Sequence, residues 1–279
     1  MAKVHFIGAG QMAEAIIRAS LSNGALHADA ISLEDIDSAR VEHLYAHYRL
    51  SGNGDVSEAS LLVLGIRPQD DLAAVASRVR AQLNGSTTVV SLIAGVTLQK
   101  LASLFGEATP IARVIPNTLT DTGFGYSGVT LNAHASAAEI EPFLCGFGKV
   151  LYLPERLIDI FTGFAVAGPN YIYYFIESFT DAGVLAGLSR PQATEAVLEN
   201  LLGAVEMLRR SQKHPRQLLD INNSPAGVGI HGLYELNNSD FAAGFSVAYW
   251  RRSDGPVNWD SAKPLAPAPG RAARPVLFR

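Results

Sequence analysis

The sequence predicts an α/β Rossmann-type N-terminal domain with a parallel-rich sheet, followed by an all-α C-terminal domain. Three observations carry this. Short apolar runs alternate with helix-periodic segments from residue 3 to about 152, a glycine-rich turn joins the first run to the first helix, and strand-like runs stop after "LPERL". Such alternation implies βαβ units and hence a largely parallel sheet. The expected units are 1–155, 156–253, and a Pro/Ala-rich tail over 254–279 with five of the fourteen prolines and no periodicity.

The strand candidates, in order, are "KVHFIG", "AISLE", "LLVLGI", "TVVSLI", "PIARVI", "GVTL" and "KVLYL". Each is a short apolar run bounded by turn residues, the pattern of a buried strand. Between them "QMAEAIIRASLSNG", "SARVEHLYAHY", "QDDLAAVASRVRAQL" and "LQKLASLF" carry the 3.6-residue period of helices packed on a sheet. Residues 156 to 252 read as five or six helices, the longest "PNYIYYFIESFTDAGVLAG" and "RPQATEAVLENLLGAVEMLRR".

Composition narrows the function classes. A chain of 279 residues with 48% hydrophobic and 17% charged content can bury a sizeable core. The net charge of −4 gives no basic footprint for nucleic acid or an anionic membrane. One cysteine, Cys145 in "EIEPFLCGFG", excludes an internal disulfide framework and is expected in the core. The start "MAKVHFIGAGQM" turns polar too early for a signal peptide, and no apolar run reaches membrane-spanning length, so a cytoplasmic protein is expected.

"VHFIGAGQMAEAII" follows the dinucleotide fingerprint, with Gly8, Gly10 and Ala13 at the three small-residue positions and Gln11 and Met12 opening the helix. Gly8 serves the tight turn, Gly10 the approach of a pyrophosphate, and Ala13 close helix–strand packing. The pattern expects an acidic residue at the end of the second strand to read a ribose hydroxyl; "ISLEDID" offers Glu34 and Asp35, Glu34 being the strand-end residue. A carboxylate there repels a 2′-phosphate, which favours NADH over NADPH. As helix caps, the same acids would be merely structural. His43 and His47 share a helix face, but Leu44 stands where a zinc-protease motif needs Glu and no third ligand is legible, so no metal is expected. No Ser-His-Asp set is legible either.

The stretch "INNSPAGVGIHGL" interrupts the helical half. Asn222, Asn223 and Ser224 can cap a helix, Pro225 suits a first turn, and Gly227 allows a close approach. On its own it reads first as a helix–helix turn, and alternatively as an anion site on free helix N–H groups.

Taken together, "FIGAGQMAEAI", "GIRPQ" at 65–69, "SLIAGVTL" at 91–98, "RVIPNT" at 113–118, "AGPNYIYYFIESFTDAGVLAGLSR" and "HPRQLLDINNSPAGVGIHGL" give the chain a resemblance to the pyrroline-5-carboxylate reductases, through nearly all of residues 3–253. These enzymes make proline by hydride transfer to a cyclic imine. The resemblance implies NAD(P)H as cofactor, with Gly65, Ile66, Arg67, Pro68, Ala94 and Gly95 along its nicotinamide half and Asn117 facing the reaction cavity. It implies that Asn223, Ser224, Ala226, Gly227, Val228 and Gly229 hold the substrate carboxylate on backbone N–H groups. It also implies that the helical half is a dimerisation domain, so that a homodimer or higher homo-oligomer is expected.

Departures from the family pattern mark the substrate side. The family usually reads Ser-Gly-Ser-Gly-Pro-Ala where this chain has Ala165, Val166, Ala167, Gly168, Pro169 and Asn170. It usually reads Ser-Pro-Gly-Gly, then Thr or Ala, then Thr, where this chain has Ser224, Pro225, Ala226, Gly227, Val228 and Gly229. That last Thr is the family's candidate for a hydrogen bond to the imine nitrogen, and Gly229 has no side chain to make one. Replacement donors are sought in Asn170 and Tyr174 as catalytic residues, with Tyr171, Asn223 and His231 behind them. The expected function is reduction of pyrroline-5-carboxylate or a related cyclic imine. The alternative is a non-catalytic, nucleotide-binding sensor or assembly partner. A hydroxy-acid dehydrogenase would want a lysine on the long interdomain helix, and "AGPNYIYYFIESFTDAG" has none.

Overall fold

The structure, a computed structural model, describes residues 3–250; the 254–279 tail and the last three residues of the helical unit expected at 156–253 lie outside them. Seven strands form one sheet: β1 (Val4–Ile7), β2 (Ile31–Glu34), β3 (Leu61–Leu64), β4 (Thr88–Ser91), β5 (Ile111–Ile115), β6 (Tyr126–Leu131) and β7 (Lys149–Tyr152). Their order is β2-β1-β3-β4-β5-β6-β7. All neighbours run parallel except β5 and β6. The order reverses between β1 and β3, which opens a crevice at the carboxyl ends of those strands.

Helices α1 (Gln11–Ser22), α2 (Ser38–Tyr48), α3 (Leu72–Val79), α4 (Leu98–Phe105) and α5 (Ala137–Leu144) cover the sheet. Two apolar clusters result. One gathers Phe6, Ile16, Ile17, Leu44 and Phe143 on one face of the sheet, and the other gathers Leu62, Val79, Leu101 and Phe105 on the opposite face. Strands buried on both faces explain the near-continuous apolar runs in the sequence. Cys145 departs from expectation: it is exposed, because Ile140, Phe143 and Leu144 take the inward positions of α5 and the next residue turns outward.

After β7 the chain is helical. A short α6 (Ile158–Phe161) runs through a π-helical turn over Thr162–Val166 into α7 (Gly168–Leu185). There follow α8 (Arg190–Ser211), α9 (Pro215–Asn222), α10 (Val228–Asn237) and α11 (Phe241–Trp250). α6 seats on β6: a Cβ on Gly128 would lie 2.5 Å from the Phe161 ring, so only glycine lets the two come together.

The two halves are pinned by Arg113 on β5, which is 2% exposed. Its Nη1 donates to Glu155 Oε1 at 2.7 Å, and Asp159 on α6 lies 3.6 Å from its Nη2. The same Glu155 oxygen accepts from the Leu98 N–H at 2.7 Å, tying the β4–α4 loop to the helical half. Removing one partner of a buried charge leaves it uncompensated. Because Glu155 is itself partly exposed and Asp159 remains, Glu155→Ala should cost about 2 kcal/mol in urea unfolding. Arg113→Met combined with Glu155→Leu should cost less than Glu155→Ala alone.

His5 on β1 is also buried, with its Nδ1 2.8 Å from Ser32 Oγ and its Nε2 without a partner among the described residues. Burial pushes its imidazole below the usual 6.5, against the opposing pull of the Glu34 carboxylate. A depressed folded pKa leaves stability intact above the unfolded value and removes it as pH falls through the folded one. Unfolding free energy should therefore decline from about pH 6.5 downward. In His5→Gln that decline should be shallower; parallel slopes would assign it to other groups.

Candidate active site

The residues that the fingerprint singles out meet at the crevice between β1 and β3. Gly8 adopts a φ of +104°, and a Cβ on it would stand 2.7 Å from the Gly65 carbonyl group, so the turn after β1 and the end of β3 touch backbone to backbone. Gly10 caps α1 with extended backbone and no side-chain cap, and the space where its Cβ would stand is empty. The first N–H groups of α1, those of Gln11, Met12 and Ala13, have no acceptor within the helix. An open helix start with a bare glycine before it is the shape and polarity that a pyrophosphate needs. The Met12 side chain packs on the core and Ala13 is buried, which leaves their backbone for a ligand.

Both polar atoms of the Ala9 peptide are held. Its N–H donates to Asp35 Oδ2 at 2.6 Å, and its carbonyl accepts from Arg40 Nε at 3.0 Å. Asp35 is oriented in turn by the Asp37 N–H at 3.0 Å. Arg40 also pairs with Glu14, whose carboxylate takes the Tyr48 hydroxyl at 2.9 Å. Burial opposes ionisation of Glu14, but hydrogen bonds from Arg40 and Tyr48 outweigh it and hold the carboxyl below its usual range. Glu34 does end β2, yet its side chain turns to Arg78, 3.0 Å away, rather than to the glycine turn. Asp35 is the acid at the turn. The chain signal for Arg40 was absent, because its role exists only once α2 lies beside α1.

Gly65, Ile66, Arg67 and Pro68 follow β3, and Ala94 and Gly95 follow β4, on the same edge of the sheet. The exposed Arg67 side chain pairs with Asp70 at 3.0 Å. Asn117 follows β5 but points inward: it is 4% exposed, and its Oδ1 accepts from the Leu119 and Tyr126 N–H groups. Its side chain shapes the β5–β6 connection. His43 and His47 are exposed and stacked at 5.6 Å, and no group of three metal-type ligands occurs among the described residues.

The residues proposed on the substrate side lie elsewhere. Asn170 is exposed in the first turn of α7 and Tyr174 is 78% exposed one turn on. No hydrogen bond joins them to the 223–229 turn among the described residues. In that turn the helix cap is Gly227, not Asn222, Asn223 or Ser224, and Pro225 sits before the helix rather than in its first turn. The reason is a β-turn closed by Gly227 N–H to Ser224 carbonyl at 3.1 Å, with Ala226 left-handed at φ +56°. Pro225 fixes the first corner and the second needs a positive φ. α10 then begins with N–H groups of Val228, Gly229 and Ile230 that have no intrahelical acceptor.

A glycine-turn crevice with a carboxylate held against the turn, followed by a helical half, defines a dinucleotide-binding protein of the oxidoreductase type. Comparison with known proteins agrees. Residues 3–95 match the family described as NADP oxidoreductase coenzyme F420-dependent, and residues 155–253 match the one described as pyrroline-5-carboxylate reductase dimerisation. A pyrroline-5-carboxylate reductase of Methanosarcina acetivorans is 30% identical over 259 residues, covering 90% of this chain and 96% of that protein. Among solved structures, the 1-pyrroline-5-carboxylate reductase of Streptococcus pyogenes superposes with a TM-score of 0.77 at 29% identity, covering 91% of this chain and 97% of that one. The Plasmodium falciparum pyrroline carboxylate reductase with NADP bound does so at 0.75 and 26%, covering 90% and 95%. The chain belongs to the pyrroline-5-carboxylate reductase family.

Left-handed backbone costs a residue with a Cβ about 1 kcal/mol. Ala226→Gly, which restores the family's usual residue, should raise thermal stability by up to about 1 kcal/mol. A loss of stability would show that the Ala226 methyl makes a contact worth more than its strain.

Proposed function

We propose that this chain is a cytoplasmic NAD(P)H-dependent reductase that converts pyrroline-5-carboxylate to proline. The observation that carries the reading is the chain-long likeness to reductases of that name, together with the open glycine turn at the β1–β3 crevice. When bound, NAD(P)H supplies the hydride. In this reading the chain's own residues bind and orient. Gly8, Gly10, Gln11, Met12 and Ala13 accommodate the pyrophosphate, and Gly65 to Pro68 with Ala94 and Gly95 flank the nicotinamide. The free N–H groups opening α10 take the substrate carboxylate.

The active unit in this reading is a homodimer, or a larger assembly, built by the helical half over 156–253. Support comes from the dimerisation match and from apolar side chains left uncovered on these helices: Leu202 at 65%, Ile221 at 67%, Tyr174 at 78% and Leu185 at 86% exposed. So many open apolar groups mark an association face. A substrate site assembled between copies would also account for the lack, among the described residues, of a hydrogen bond between Asn170 or Tyr174 and the 223–229 turn.

For the cofactor we favour NADH. Asp35 lies against the glycine turn, Glu34 and Asp37 flank it, and Arg40 is committed to Ala9 and Glu14. A 2′-phosphate at the turn would meet the Asp35 carboxylate, while Arg40 is committed to Ala9 and Glu14 and Arg78 is paired with Glu34. The test is turnover of pyrroline-5-carboxylate with each cofactor. Wild type should prefer NADH by kcat/KM, and Asp35→Ser should move the ratio toward NADPH by about tenfold. An unchanged ratio would remove Asp35 as the determinant. Cofactor binding without turnover would favour a non-catalytic, nucleotide-binding role instead.

A further inference from the structure

One oxygen of Glu155 serves two donors. Its Oε1 accepts from Arg113 Nη1 at 2.7 Å and from the Leu98 N–H at 2.7 Å. The first bond steadies a buried guanidinium whose Nε and Nη2 have no hydrogen-bond partner among the described residues. The second lies at the first residue of α4, where a helix has N–H groups without acceptors of their own. Thr97 caps that helix locally, its side chain accepting from the Lys100 N–H at 3.1 Å. Glu155 adds a further cap from 57 residues away, and a carboxylate is favoured at the positive end of a helix.

The fold does not call for this second bond. α4 has its own cap, and Arg113 needs a carboxylate but not one shared with Leu98. What the bond does fix is the connection from β4 to α4. At the start of that connection the Leu92 N–H donates to the Leu64 carbonyl at 3.0 Å, and the Ile93 N–H to Ser91 Oγ at 3.3 Å. Ala94, Gly95 and Val96 run between these bonds and Leu98, with Gly95 left-handed at φ +78°. The loop is therefore tied to the sheet at one end and to the entry of the helical half at the other.

We infer that Glu155 is a positioning residue for hydride transfer: through the Leu98 N–H it sets where the Ala94–Gly95 loop stands relative to the helical half, and so where the nicotinamide meets the imine. The inference rests on the reading that this loop flanks the nicotinamide and that the helical half presents the substrate. Transfer is sensitive to such placement, because the reacting atoms must lie within about 3.5 Å of one another and in line. The pyrophosphate site is the β1–α1 turn, whose shape is held by Asp35 and Arg40 rather than by Glu155. Loss of Glu155 then slows the chemical step without loosening the cofactor.

The test measures single-turnover oxidation of NADH and NADPH with saturating pyrroline-5-carboxylate, the cofactor Kd, and thermal melts. The variants are Glu155→Ala, Glu155→Gln and the double variant Arg113→Met/Glu155→Leu. Rate and stability should separate. The double variant replaces an ion pair by apolar groups, often neutral for stability, yet leaves Leu98 without an acceptor. It should melt above Glu155→Ala, keep the cofactor Kd within about twofold of wild type, and transfer hydride roughly ten- to hundredfold more slowly. Glu155→Gln keeps an oxygen for Leu98 and gives up the charge beside Arg113. It should melt below wild type, yet recover most of the rate lost in Glu155→Ala. Were Glu155 only a structural pin, the rates would follow the melts.

A folded double variant with the wild-type transfer rate would overturn the inference and leave the reductase reading intact. So would Glu155→Gln as slow as Glu155→Ala, a comparison that decides the matter alone if the double variant does not fold. A loss confined to the cofactor Kd would overturn it too, since Glu155 would then serve binding rather than placement. Wild type that binds cofactor but does not turn over pyrroline-5-carboxylate would overturn the reductase reading, and this inference with it.

Discussion

The buried guanidinium of Arg113 is the constraint on which the arrangement depends. A charge in the middle of a sheet covered on both faces is costly unless it is paired and hydrogen-bonded. Its partners come from the helical side of the chain: Glu155 just after β7 and Asp159 on α6. The strand cannot keep that arginine unless the helical half docks where it does. Glu155 then reaches across to the Leu98 N–H, so the pin that joins the halves also fixes the loop carrying Ala94 and Gly95. Gly128 completes the seat by letting the Phe161 ring lie on β6.

At the other end of the crevice the logic is one of committed charges. Asp35 and Arg40 take the two ends of one peptide, that of Ala9, and Arg40 is held by Glu14, which Tyr48 holds in turn. Each group has an opposite charge or a hydrogen bond to satisfy it, so the turn keeps its shape without its ligand. Preorganised backbone donors lose little on binding.

The helical half is built the other way, with its apolar side chains open and its most unusual turn at the surface. Its helices bury little in one chain: among α7 residues only Pro169 and Thr180 are buried. Such a half gains its stability by covering those faces with a second copy, which agrees with the dimerisation match. The Ser224–Gly227 turn accepts a left-handed alanine to set the start of α10, and the missing side chain at 229 is filled by Asn223 from the preceding connection.

The sequence by itself determined the strands, the placing of the glycine turn and the change to helices after "LPERL". Those depend on short-range periodicity and on glycine's freedom, both written in consecutive residues. It also carried the family, because several ordered blocks rarely coincide by chance. It misplaced Cys145, which a one-residue rotation moves from the core to the surface of α5. It favoured Glu34 over Asp35, but adjacent residues point apart, and Arg78 from α3 draws Glu34 away from the turn. Nor could it show that Asn117 points inward, that Arg40 clamps Ala9, or that Asn223 occupies the space above Gly229. Each of these is a contact between segments whose separation in the chain says nothing of their distance in space, and so only the tertiary structure settled it.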